Sequence, residues 1–95
     1  MFVLHIDIRM KVGQARAAER AFQDTFSVAL SDQEGFQSVQ LLRSENGSEG
    51  EYVLSIGFAN QALQQKWAAT DLHQQVWPQM ESYFERYAIK TYAAV

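Results

Sequence analysis

The chain has 95 residues, 47% of them apolar, a net charge of −3 and no cysteine. That is room for a single domain spanning 1–95, with one core and no second. The composition excludes disulfides, thiolate nucleophiles, zinc–cysteine sites and iron–sulfur clusters, and two histidines cannot make a three-histidine metal site within one chain.

Met1 to Arg9 is charged and alternating, without the long apolar centre of a secretory leader. Phe2, Leu4, Ile6, Ile8, Met10 and Val12 take every even position, which predicts a strand with one apolar face ending at Gly13. Residues 14–31 read as a helix. Four of its first eight residues are alanine, the best helix former, and Ala15, Ala18, Phe22, Phe26, Ala29 and Leu30 fall on one stripe. Ser31 to Gly35 is a polar break. Two strands follow, Phe36–Ser44 and Glu51–Ala59, joined by the turn cluster 45–50 as a hairpin. The acidic residues of that turn read as a solvated loop.

Asn60 is placed to cap a short helix running to about Ala69, with Leu63 and Trp67 at helical spacing. Thr70 caps the next helix, which carries Leu72, Val76, Met80 and Phe84 and which Pro78 is expected to kink or restart. Glu85 to Val95 alternates as a fourth strand. No apolar run approaches the roughly 20 residues that span a bilayer, and the eight Lys and Arg are scattered, so neither membrane nor nucleic acid is an expected partner. The expected location is the cytoplasm.

The order β-α-β-β-α-β predicts an α+β, ferredoxin-like fold: one antiparallel sheet with helices on one face. The third strand carries Val53 and Ala59 opposite its main apolar face, and the last carries Ala88, Tyr92 and Ala94. A sheet with apolar groups on both faces calls for a second cover. The expectation is a homodimer built sheet to sheet about a two-fold axis.

The segment Trp67 to Trp77 holds both tryptophans and His73, one of the two histidines. His73 and Trp77 are four apart and share a helix face. There is no Gly-x-Ser-x-Gly elbow and no phosphate-cradling glycine loop.

Four features together resemble the antibiotic biosynthesis monooxygenase family: Gly35-Phe36 opening the second strand, the strand Glu51–Ala59, the helix from Asn60 to Trp67, and Thr70-Asp-Leu-His73. The resemblance implies a dimeric α+β barrel with a cavity between the sheet and helices of each subunit. It implies a cofactor-independent oxygenase acting on a quinol or polycyclic phenol with O₂. In that reading Trp67 matches a catalytic tryptophan and His73 a common family histidine, the candidate base. Trp77, Phe22 and Phe26 would wall the substrate, and Asn60 or Tyr52 would orient a substrate oxygen. In the haem-degrading members the catalytic asparagine and histidine would fall near Ile6 and Trp77, so two of three positions depart. No cofactor is expected. The alternatives are a non-catalytic dimeric binding or regulatory module, and a haem-binding protein with His73 on iron.

Each of these residues also has a structural role open to it. His73 suits a helix start, the tryptophans suit a core, Asn60 suits a cap, and Tyr52 suits a sheet or an interface.

Overall fold

The computed structural model describes residues 1–95. Its elements are β1 (Phe2–Met10), α1 (Ala15–Ala21), a π-helical turn (Phe22–Phe26), α2 (Ser27–Ser31), β2 (Phe36–Arg43), β3 (Glu51–Phe58), α3 (Gln61–Ala68), α4 (Asp71–Glu81) and β4 (Phe84–Ala93). The four strands form one antiparallel sheet in the order β2-β3-β1-β4. This is the expected ferredoxin-like α+β arrangement.

Alternation on β1 decides which face the helices cover. Ile6, Ile8 and Met10 are buried, and their partners Leu54 and Tyr52 on β3 are buried beside them. The core is a single cluster of apolar side chains between this face and the helices. No polar residue other than Tyr52 is drawn fully into it.

The long helix expected over 14–31 is interrupted. Ala18, Phe22, Phe26 and Leu30 recur every four residues, whereas an α-helix turns in 3.6. On a continuous α-helix that stripe would rotate away from the sheet by about 40° per step. The wider π-helical turn at Phe22–Phe26 takes up the excess, and Ala18, Phe26 and Leu30 all end fully buried.

Pro78 does not restart the second helical segment. It lies inside a continuous α4. It removes the N–H that would pair with the Gln74 carbonyl, and Gln74 and Pro78 are both exposed residues. Ala59 and Ala94 fall just beyond β3 and β4, but their N–H groups still bond the Gly35 and Met1 carbonyls, at 2.8 and 2.9 Å. The face away from the helices carries apolar groups from all four strands. Its strand register brings together Val3, Leu42, Val53, Ala88 and Tyr92. Among them stand Asp7, ion-paired to Lys90 at 3.3 Å, and Arg9, paired to Glu51 at 2.9 Å. His5 packs on Tyr92 with ring centres 5.0 Å apart.

Candidate active site

Between the sheet and the α3–α4 pair lies a cavity of about 200 Å³. Leu4 and Ile6 of β1, Ile56 and Phe58 of β3, and Ile89 of β4 make its floor. Phe26 of the π-helical turn, Trp67 and Ala68 of α3, and Trp77 of α4 make its apolar walls. Its polar side chains are His73 and Gln64. A concave, mostly apolar space with a few convergent polar groups is the form that small-molecule sites take. A larger and more open concavity of about 570 Å³ lies around Asp7, Arg9, Arg43, Glu51 and Arg86. Its charges are already paired, Arg9 with Glu51, Asp7 with Lys90, Arg43 with Glu19 and Arg86 with Glu85, so the smaller cavity is the better candidate.

One hydroxyl sets the geometry of the walls. Thr70 sits between α3 and α4, and its Oγ1 donates to the Trp67 carbonyl at 2.8 Å while accepting the His73 N–H at 3.0 Å. The end of α3 and the start of α4 are thereby tied through a single oxygen. The ring of His73 then packs edge-on to Trp67 at 5.1 Å and parallel to Trp77 at 6.3 Å. Phe26 contacts both indoles, at 6.4 and 5.9 Å. Tyr87 meets Trp77 edge-on at 5.6 Å from the sheet side.

Burial among these rings pushes the His73 pKa below its ordinary value, against a weaker opposing pull from Glu81. The imidazole is therefore neutral at pH 7 and able to accept a proton. Its Nδ1 lies 3.4 Å from Gln74 Nε2, which also donates to the Ala68 carbonyl at 2.9 Å. No three His, Asp or Glu side chains cluster in a way that could hold a metal ion.

Trp67, His73, Trp77 and Phe26 thus meet in one place, while Phe22, Tyr52 and Asn60 do not. Asn60 is exposed, and its side chain accepts the Leu63 N–H at 2.9 Å as the cap of α3. The Tyr52 hydroxyl donates to Glu19, whose carboxylate also takes Arg43 at 3.0 Å. Burial and the adjoining Glu19 carboxylate raise the Tyr52 pKa. Phe22 packs on Phe26 at 6.4 Å but borders a separate hollow shared with Glu19, Leu41 and Tyr52. Gln64 is the functional candidate that residue type alone does not suggest. Its signal is its place three residues before Trp67, on the same helix face.

The sequence profile of the antibiotic biosynthesis monooxygenase family matches residues 1–78. The chain belongs to that family. The match includes every residue of the cavity except Ile89. Solved structures of similar fold include SnoaB, a cofactor-independent oxygenase from Streptomyces nogalater. It is 16% identical, with a TM-score of 0.82, over 99% of this chain and 93% of that one. A Caulobacter crescentus protein provisionally described as an antibiotic biosynthesis monooxygenase is 20% identical, with a TM-score of 0.85, over 99% and 89%. A conserved protein from Methanosarcina mazei Go1 is 8% identical, with a TM-score of 0.82, over 100% and 94%. At such identities the likeness is one of fold. No curated protein matches the sequence.

Proposed function

We propose that this protein is a cytoplasmic, cofactor-independent monooxygenase that oxidises a quinol or phenol in the cavity between sheet and helices. The observation that carries the reading is the placement of a neutral imidazole, His73, between two indoles on an otherwise apolar wall. His73 removes the phenolic proton, which suits a base whose pKa lies near or below the working pH. The phenolate is electron-rich enough to reduce O₂ itself. One oxygen atom replaces a ring hydrogen and becomes a carbonyl oxygen, the phenol oxygen becomes the second carbonyl, and the other oxygen atom leaves as water with the two hydrogens. Atoms and electrons balance without a further reductant. Trp67, Trp77 and Phe26 hold the flat ring and keep water from the anion.

The cavity is below the roughly 300–1,000 Å³ of drug-sized sites, which makes it a poor fit for a haem macrocycle. The family and the structural likeness to SnoaB support oxygenase chemistry without a cofactor. Oxygen uptake over a panel of quinols and phenols tests the reading. His73→Ala should reduce turnover of the best substrate by about tenfold or more, within the usual range for removal of a general base. Turnover unchanged in that variant would remove His73 from the chemistry. Aromatic binding with no uptake by the wild type would leave a binding module instead.

A further inference from the structure

Gln64 is one of only two glutamines that are half-buried rather than exposed; the other is Gln33. Gln33 is accounted for, since its amide donates to the Ala29 carbonyl at 3.0 Å. The Gln64 side chain makes no hydrogen bond to the protein, and no buried side-chain nitrogen or oxygen lacks a partner. Its amide is therefore not fully buried, no contact within the fold commits it elsewhere, and the residue lines the cavity. A polar group at the edge of an apolar chamber, unused by the fold, is placed for a ligand.

Its position relative to His73 is also informative. Gln64 and Trp67 share one face of α3. His73 packs against Trp67 from α4. The indole thus has one polar group beside it on its own helix and the other against it from the neighbouring helix. A flat ring lying over Trp67 meets a polar group from each helix, and two oxygens across the ring match this arrangement better than one.

An amide has a further chemical merit here. On a 1,4-diol the inserted oxygen atom ends as a ring hydroxyl, the other leaves as water, and both original oxygens become carbonyls, so the second oxygen enters as a hydroxyl donor and leaves as a carbonyl acceptor. A carboxamide carries both an acceptor oxygen and donor N–H groups, so it holds either form. The cavity volume of about 200 Å³ limits the ring system, since larger ligands occupy sites of several hundred Å³.

We propose that Gln64 is a positioning and specificity residue that holds the second oxygen of a one- or two-ring hydroquinone, opposite the oxygen that faces His73. This rests on the reading of the cavity as the substrate site. The test is anaerobic binding followed by quenching of tryptophan fluorescence, since both tryptophans line the cavity. The probes are 1,4-dihydroxynaphthalene, 1-naphthol and 1,4-dihydroxyanthracene.

The wild type should bind the naphthalene diol about tenfold more tightly than 1-naphthol, the worth of one good hydrogen bond. It should bind the three-ring diol weakly or not at all. Gln64→Leu should abolish the preference for the diol and leave 1-naphthol affinity unchanged. Gln64→Glu, whose carboxylate still accepts from a hydroxyl, should retain it. In air, Gln64→Leu should raise KM for the diol more than it lowers kcat.

Equal affinity for diol and mono-ol in the wild type, or a preference that survives in Gln64→Leu, would overturn the role of Gln64. Tight binding of the three-ring diol would overturn the size limit. A diol preference that depends on Gln64 without any oxygen uptake would support Gln64 and sink the oxygenase reading, so the two failures are distinguishable.

Discussion

Thr70 holds two residues of the cavity with one oxygen, so its loss has both a stability and a positional consequence. Thr70→Val keeps the shape and removes the hydroxyl. It should cost about 1 kcal/mol as a lost helix cap, read as a lower urea midpoint with an unchanged slope. It should also lower turnover, because His73 and Trp67 lose their common tether. Thr70→Ser, which restores the oxygen, should recover both. Loss of stability with turnover intact would mean that the cap is structural only. His73 makes a separate prediction about pH. Its pKa is depressed in the folded chain by burial, so between that value and the ordinary 6.5 the unfolded chain binds the proton and the folded chain does not. Stability there rises with pH. The contribution of His73 is fully present above the unfolded value, declines as pH falls, and levels off below the folded value. The stability difference between wild type and His73→Phe should slope across that window and be flat above it. A flat difference throughout would mean that His73 is solvated like a surface histidine. The pairing of His73 with Trp77 was legible in the sequence because four-residue spacing on a helix places side chains together, whereas Trp67 reaches His73 from a different helix. The cap at Asn60 was legible too, but its alternative role as a ligand-orienting amide could be set aside only once the partner N–H was seen. Gln64 went unread, since nothing in a lone glutamine separates an exposed one from a cavity one.

At the scale of elements, the join between α2 and β2 depends on Gly35. Its φ is +80°, a region that side chains rarely adopt. A Cβ built there would stand 2.5 Å from Leu63 Cδ1 and 2.9 Å from Leu63 Cβ on α3. Its carbonyl also accepts the Ala59 N–H at 2.8 Å, pinning the end of β3. Gly35→Ala should therefore cost about 1–3 kcal/mol from backbone strain, with a further penalty from displacing α3. Thermal and urea unfolding measure this. A loss under about 0.5 kcal/mol, the range of neutral surface changes, would show that the contact relaxes freely. Because α3 carries Trp67 and Gln64, the variant should also weaken aromatic binding. Strand and helix order was readable because period-two and helical apolar spacings differ sharply, and the turn residues stand at the joins. The π-helical turn was not read, although the recurrence of apolar residues every four positions from Ala18 to Leu30 contained it. A stripe of that period is easily taken for an ordinary amphipathic helix, because the two differ by less than half a residue per turn.

For the molecule as a whole, the open question is the helix-free face of the sheet. The chain is 18 Å thick along its shortest axis, the depth of one sheet and one helical layer. Leu42 and Tyr92 are 46% and 48% exposed on that face, beside Val3, Val53 and Ala88. We propose that a second copy covers it about a two-fold axis, burying roughly 800 Å² per partner as specific interfaces do. Asp7, Lys90, Arg9 and Glu51 supply both signs of charge on the same face, which suits a self-complementary contact. Sedimentation at tens of micromolar should give twice the 10.8 kDa of the chain. Leu42→Asp with Tyr92→Asp should shift it toward monomer, by placing unpaired charge in the contact. A wild type that sediments as monomer would remove the dimer. The two substitutions also separate assembly from the cavity. Leu42 and Tyr92 point away from the helices, whereas the residues lining the cavity lie on the helix side of the sheet, on the π-helical turn and on α3 and α4. The monomeric variant should therefore still bind the aromatic diol and quench tryptophan fluorescence. If binding disappears together with the dimer, the cavity needs the partner copy to keep its shape, and Ile89 on the exposed edge strand β4 is the wall through which that dependence would act.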